Sequence, residues 1–185
     1  MEMLVEGDAL KGDWQQLLLD HCATSLPQEP ELLLGWSTGA MVAWVLAPLL
    51  KPRRMVLLAP TPTFCRRDEF RFGTRPKVLQ SMRSALSSDR RGTLERFWDS
   101  CGLPPSLWPP SLPYTTDQLR AGLVFLEHAS LLPLAATPCP LKVFHGSADR
   151  IISVEAGKFF AHEARGEFVQ QNCEHFVMEP FAAAL

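Results

Sequence analysis

Apolar runs separated by short polar stretches set the order of elements along this chain. Leu32-Leu33-Leu34 is all apolar, as in a strand covered on both faces. Gly35-Trp36-Ser37-Thr38-Gly39 interrupts the run. Ala40 to Ala47 then reads as a helix closed by Pro48, whose ring and missing N–H oppose continuation. Lys51 to Arg54 is a polar link, and Met55-Val56-Leu57-Leu58-Ala59 is a second buried strand. Strand, helix and strand in so short a span imply a parallel pair with a right-handed crossover. The nineteen residues from Leu32 to Leu50 carry no charge, which is near the length of a membrane span. Two glycines, a serine, a threonine and a proline break that run, and no second one follows, so a membrane helix is rejected.

The flanks follow the same logic. Residues 1–12 show no clear period, with Met3 to Val5 as a possible scrap of strand. Asp13 to Cys22 reads as a helix with Trp14, Leu17, Leu18 and Leu19 apolar. Between residues 60 and 137, prolines recur and mark loops and helix starts. Helical stretches lie between them: Lys77 to Ser87, Arg90 to Cys101, and Thr116 to Leu131 with a cap at Thr115 or Thr116. The sheet pattern then returns. Leu141 to His145 is a strand, Ser153 or Val154 to Ala164 a helix, Glu167 to Gln170 a short strand, and Gln171 to His175 a loop; Pro180 to Leu185 can start a helix. The fold class expected is α/β: a mostly parallel sheet built from residues 1–60 and 137–185, with a helical lid, 61–136, inserted between strands.

Composition narrows the class. The chain has 185 residues, 46% of them hydrophobic and 21% charged, enough for one domain with a real core. A net charge of −2 gives no reason to expect a nucleic-acid partner. Five widely spaced cysteines, none in a C-x-x-C pair, argue against a zinc site and a disulfide framework and suit a reducing compartment. No basic-then-apolar leader opens the chain. A cytoplasmic protein without a zinc site is the expectation.

Gly35-Trp36-Ser37-Thr38-Gly39 is a G-x-S-x-G pattern between a strand and a helix, the form of a nucleophile elbow. A strained turn would push the Ser37 hydroxyl outward, and side chains at Gly35 or Gly39 are expected to clash with neighbouring backbone. The helix start would aim free N–H groups at charge developing beside the serine. Two further candidates also follow strands: Asp149 after 141–145 and His175 after 167–170. The order Ser, acid, His is that of an α/β-hydrolase triad, and chemistry at the carboxyl ends of parallel strands is the rule for such sheets. In these roles Ser37 attacks an acyl carbon, His175 moves the proton, and Asp149 holds the imidazole tautomer. The Thr38 N–H would be one oxyanion donor. Taken singly, Asp149 could cap a turn and His175 could be a surface histidine; His145 precedes Asp149 and reads as structural.

Gly-Trp-Ser-Thr-Gly-Ala, His-Gly-Ser-Ala-Asp-Arg-Ile-Ile and Glu-His-Phe resemble the α/β-hydrolase superfamily. Leu58 to Phe70 and Thr93-Leu94-Glu95-Arg96-Phe97 are similar to lid segments of the pimeloyl-acyl-carrier-protein methyl ester esterases of biotin synthesis. The resemblance runs from about Leu32 to about Val177. It implies a cofactor-free esterase that cleaves a methyl ester on an acyl chain borne by acyl-carrier protein, with Ser37, Asp149 and His175 as triad. It further implies that Trp36 and Thr38 flank the acyl pocket, that Phe97 touches the acyl chain, and that Arg96 meets the carrier. A second family arginine falls at Gly92, where Arg90 or Arg91 could stand in.

The resemblance also implies strands and a His-Gly oxyanion loop ahead of the elbow, and no His-Gly precedes Gly35. The chain is therefore expected to be either incomplete or naturally reduced. With one side of the elbow strand unpaired, residues 1–185 alone would be a poor esterase and would self-associate, unless residues 1–12 fold along that edge. Charge adds an independent pointer. Residues 61–136 hold ten Lys and Arg against seven Asp and Glu, so a basic lid sits on an acidic body and favours an acidic partner. Other readings of the same residues are a general esterase, a carbon–carbon bond hydrolase, or a ligand-binding pseudo-hydrolase.

Overall fold

The computed structural model describes residues 14–23 and 25–177. Within them one sheet forms from β1 (Leu33–Trp36), β2 (Met55–Leu58), β3 (Leu141–Gly146) and β4 (Glu167–Gln171), side by side in chain order. Every pair is parallel; Leu33 lies opposite Met55, Met55 opposite Leu141, and Lys142 opposite Glu167. Parallel neighbours need long crossovers. Helix α2 (Thr38–Leu50) makes the first. The second holds α3 (Pro76–Ser88), α4 (Arg90–Ser100) and α5 (Thr116–His128), and α6 (Val154–Ala164) makes the third. Helix α1 (Trp14–Cys22) packs beside α2.

Side chains on β2 alternate between two apolar clusters, as the pleat requires. Met55 and Leu57 join Val143, Phe160 and the small residues Ala40, Ala43 and Ala47 of α2 in the main core. Val56 and Leu58 face the other way, against Phe144 and Val177. The inserted helices have an apolar centre of their own around Cys65, Leu79, Leu86 and Leu123. Helix α5 ties that centre to the main core through Phe125, whose ring meets Trp14 edge-on at 5.2 Å.

Several boundaries differ from the sequence-based expectation. The first strand is shifted to Leu33–Trp36, because pairing with β2 carries it through Gly35 to the turn. Pro48 does not close its helix: α2 runs to Leu50, which is buried, and ends at Lys51 in the left-handed conformation with its N–H on Ala47 O. A proline near a helix end leaves one donor missing, and burial of Leu50 outweighs that loss. Ala59 falls outside β2, where the backbone turns to φ 47°. The helix expected to reach Leu131 stops at His128. Its start is settled by a capping box: Thr115 accepts from Gln118 N–H, and the Gln118 side chain accepts from Thr115 N–H. A 3-10 turn at Pro105–Leu107 had no sequence expectation. Met3 to Val5 and Pro180 to Leu185 lie outside the described residues.

Candidate active site

Ser37 sits between β1 and α2 with φ 53° and ψ −122°, a conformation costly for a residue with a side chain. Its N–H is fixed to Leu58 O at 2.9 Å, so the turn hangs on the end of β2. Gly35 lets α2 approach: a Cβ there would come within 2.7 Å of both Ala40 Cα and Gly39 O. Gly39 differs from the expectation, since a Cβ on it would meet nothing within 4 Å. Its neighbourhood is open because it lies on the exposed side of the first helical turn.

The structure brings Ser37, Asp149 and His175 together from three separate strand ends. His175 Nε2 lies 3.0 Å from Ser37 Oγ, and His175 Nδ1 lies 2.7 Å from Asp149 Oδ2. With Nδ1–H donating to the carboxylate, Nε2 is left to accept from the hydroxyl. Asp149 is fixed on its other oxygen: Oδ1 accepts from Ile151 N–H at 2.8 Å and Ile152 N–H at 2.9 Å. Burial alone would raise the Asp149 pKa. Hydrogen bonds from His145 and His175, the His175 charge and the Ile152 N–H outweigh burial and hold the carboxyl far below its ordinary range. The side chain stays an anion in a water-poor site.

Two contacts escaped the sequence reading. His145 is fully buried, and its Nε2 lies 3.0 Å from Ile152 O and 3.2 Å from Asp149 Oδ2. Both neighbours only accept, so Nε2 carries the proton, and Asp149 Oδ2 takes hydrogen bonds from two imidazoles. His145 was read as structural; its contact with the acid could not be seen from spacing alone. Trp36 is 37% exposed, and its indole N–H donates to His175 O at 3.1 Å. Its ring centre is 5.6 Å from that of His175. Trp36 therefore supports the histidine loop from the elbow side.

Of the other candidates, Thr38 adjoins Ser37 and the rest are on α4. Thr38 is the first residue of α2, where N–H groups have no acceptor inside the helix. Phe97 is half-buried on α4. Arg96 is exposed and reaches Asp89 at 3.5 Å and Thr93 Oγ1 at 3.1 Å. Arg91 is exposed and pairs with Glu95 one turn on. Arg90 is half-buried and donates to Tyr114 O. A cavity of about 420 Å³ opens between α4 and the proline-rich segment after it, lined by Arg90, Trp98 and Trp108; Ser37 and His175 do not line it. Among the described residues, no three His, Cys, Asp or Glu side chains gather as a metal site, and no helix is long and apolar enough to cross a membrane. The Cys101 thiol, beside the cluster, is pushed up to about 12 by burial and by Asp149 and Glu174, so it stays protonated.

A model of the alpha/beta hydrolase family matches residues 7–185. The chain belongs to that family. The pimeloyl-(acyl-carrier protein) methyl ester esterase of Pectobacterium atrosepticum is 32% identical to it over 152 residues, which is 73% of this chain and 59% of the relative. The enzyme of the same name from Aeromonas salmonicida is 41% identical over 97 residues, 51% of this chain and 36% of the relative. The chain thus spans less than two thirds of the length of either. Among solved structures, an esterase from Exiguobacterium antarcticum superposes with a TM-score of 0.74 at 16% identity, over 90% of this chain and 66% of that one. At that identity the likeness speaks to the fold, and it agrees with the parallel sheet and elbow described above.

Proposed function

We propose that this chain is a serine carboxylesterase that hydrolyses the methyl ester of an acyl chain, pimeloyl in particular, carried on acyl-carrier protein. The observation that carries the chemistry is the hydrogen-bonded line from Asp149 through His175 to Ser37. Two relatives bearing the name of that esterase support the substrate. In this reading Ser37 Oγ attacks the ester carbon while His175 Nε2 takes its proton. The tetrahedral oxyanion sits at the start of α2, where the Thr38 N–H is a donor. Collapse expels methanol, which receives the proton from His175, and leaves an acyl-serine. Water, deprotonated by the same imidazole, releases the acid and restores Ser37. Asp149 stays ionised throughout and stabilises the imidazolium.

Trp36 and Phe97 would border the acyl chain in this reading. Arg96, with Arg91 and Arg90, would face the acidic carrier. Neither a metal nor an organic cofactor enters any step.

Substitution of Ser37 by Ala tests the central role. Turnover of a short p-nitrophenyl ester is expected to fall by about 10⁴-fold or more, with the melting temperature nearly unchanged. A fluorophosphonate probe is expected to label the parent chain and not Ser37→Ala. No labelling of the parent would favour the pseudo-hydrolase reading. Turnover of the free ester with none of the carrier-bound ester would favour a general esterase.

A further inference from the structure

The loop that carries His175 is held from three sides. Trp36 grips its backbone at His175 O, and Ala148 N–H donates to Cys173 O at 3.0 Å. The third support comes from the lid: Phe176 N–H donates to Cys101 O at 2.8 Å, just past the end of α4. The next residue, Gly102, has φ 73°, and a Cβ there would lie 2.1 Å from Glu174 Oε2, so the turn after α4 packs flush on the loop. Arg150, adjacent to Asp149 in the chain, completes the arrangement. Its Nη2 donates to Asp99 O at 2.8 Å and lies 3.0 Å from Glu174 Oε1.

We propose that Arg150 is a positioning residue that bolts the end of α4 to the His175 loop, so that lid placement and imidazole placement are one variable. The inference rests on the triad reading above. One guanidinium spans three parts of the molecule: the acid's own loop, the last turn of α4 and the residue before His175. Asp99 O is among the last carbonyls of α4, where a cation is favourable. An exposed ion pair alone stabilises little. The consequence lies in geometry, because misplacing a reacting group by about 1 Å can cost on the order of 100-fold in rate. Without Arg150 the loop keeps three single hydrogen bonds, from Trp36, from Ala148 and from Phe176 to Cys101 O, which leave His175 near Ser37 without holding it still.

The test compares the parent chain with Arg150→Ala, Arg150→Lys, Glu174→Gln and the Arg150→Ala/Glu174→Gln double variant. On a short p-nitrophenyl ester, Arg150→Ala is expected to lower kcat about ten-fold and leave KM within about two-fold. Arg150→Lys is expected to recover most of that loss, since an ammonium still reaches one of the two acceptors. The double variant is expected to be no worse than Arg150→Ala, because the two side chains act as one unit. An unchanged kcat, a loss confined to KM, or additive losses would overturn the proposal. A second readout needs no turnover. The Nδ1 proton of His175, hydrogen-bonded to Asp149, is expected as a downfield proton resonance that His175→Gln removes. It should stay sharp in Arg150→Lys and broaden in Arg150→Ala. An unaltered resonance in Arg150→Ala sinks the positioning role even if Ser37→Ala shows that the triad reading itself is wrong. Loss of activity in Ser37→Ala with none in Arg150→Ala sinks the positioning role alone.

Discussion

A methyl group on Gly35 would lie 2.7 Å from Ala40 Cα and 2.9 Å from Ala43 Cβ, both of them buried residues of α2. Neither can move without dragging α2 off the sheet. Gly35→Ala is therefore expected to destabilise the fold by about 1–3 kcal/mol, the usual cost of overpacking. Gly39→Ala should be neutral or stabilising by up to about 1 kcal/mol, since the space is open and alanine is the better helix former. Chemical denaturation of the two variants checks both signs. An equal loss in the two would mean that the elbow tolerates neither side chain. Ser37 keeps its strained φ because its own N–H is anchored on Leu58 O and its carbonyl accepts from Ala40 N–H in the first turn of α2.

The inserted helices hold together by apolar contact and by a few directed polar ones. Arg83 of α3 and Glu127 of α5 pair with most of their side chains out of solvent, and Gln80 adds a hydrogen bond to the same carboxylate. Burial would raise the Glu127 pKa, but those partners win and hold it below the ordinary glutamate range. Helix α4 presents its arginines unevenly: Arg91 and Arg96 are in solvent, and Arg90 is drawn back to Tyr114. Arg96→Glu is expected to lower kcat/KM on a carrier-bound ester by roughly two- to five-fold, the scale of an exposed charge pair, and to spare a free p-nitrophenyl ester. High salt should reproduce that loss in the parent chain, because charges beyond about 8–10 Å are screened. An equal loss on both esters would mean that Arg96 matters for folding.

Within the described residues the sheet ends at β1, and Leu34 and Trp36 on that strand are 41% and 37% exposed. Among the described residues no strand pairs with the outer edge of β1, and an open edge beside apolar side chains is a template for strand pairing. Residues 1–185 alone are expected to associate with rising concentration, seen as a shift to earlier elution in size-exclusion chromatography. A monomer at every concentration would show that the edge is covered in solution. The excess of basic residues in 61–136 belongs to this scale too. It puts the excess positive charge on the inserted segment, where the C-terminal end of α4 touches the histidine loop.

Much of the molecule was legible in the chain itself. A uniform apolar run such as Met55 to Leu58 announces a strand covered on both faces. The order Ser37, Asp149, His175, each after a strand, points to the candidate site, because a parallel sheet puts all its carboxyl ends on one side. Local patterns also fixed the cap at Thr115 to within one residue. Other features needed the tertiary structure, because they depend on distances between segments remote in sequence. Pro48 is tolerated because Leu50 finds a buried place. Gly35 is required and Gly39 is not because Gly35 faces the packed helix α2 and Gly39 faces open space. His145 reaches Asp149, Trp36 reaches His175 O, and Arg150 reaches both Asp99 and Glu174, and nothing in the spacing of those residues encodes any of these contacts. Periodicity reports which side of an element is buried; which atoms meet there is decided only when the elements pack.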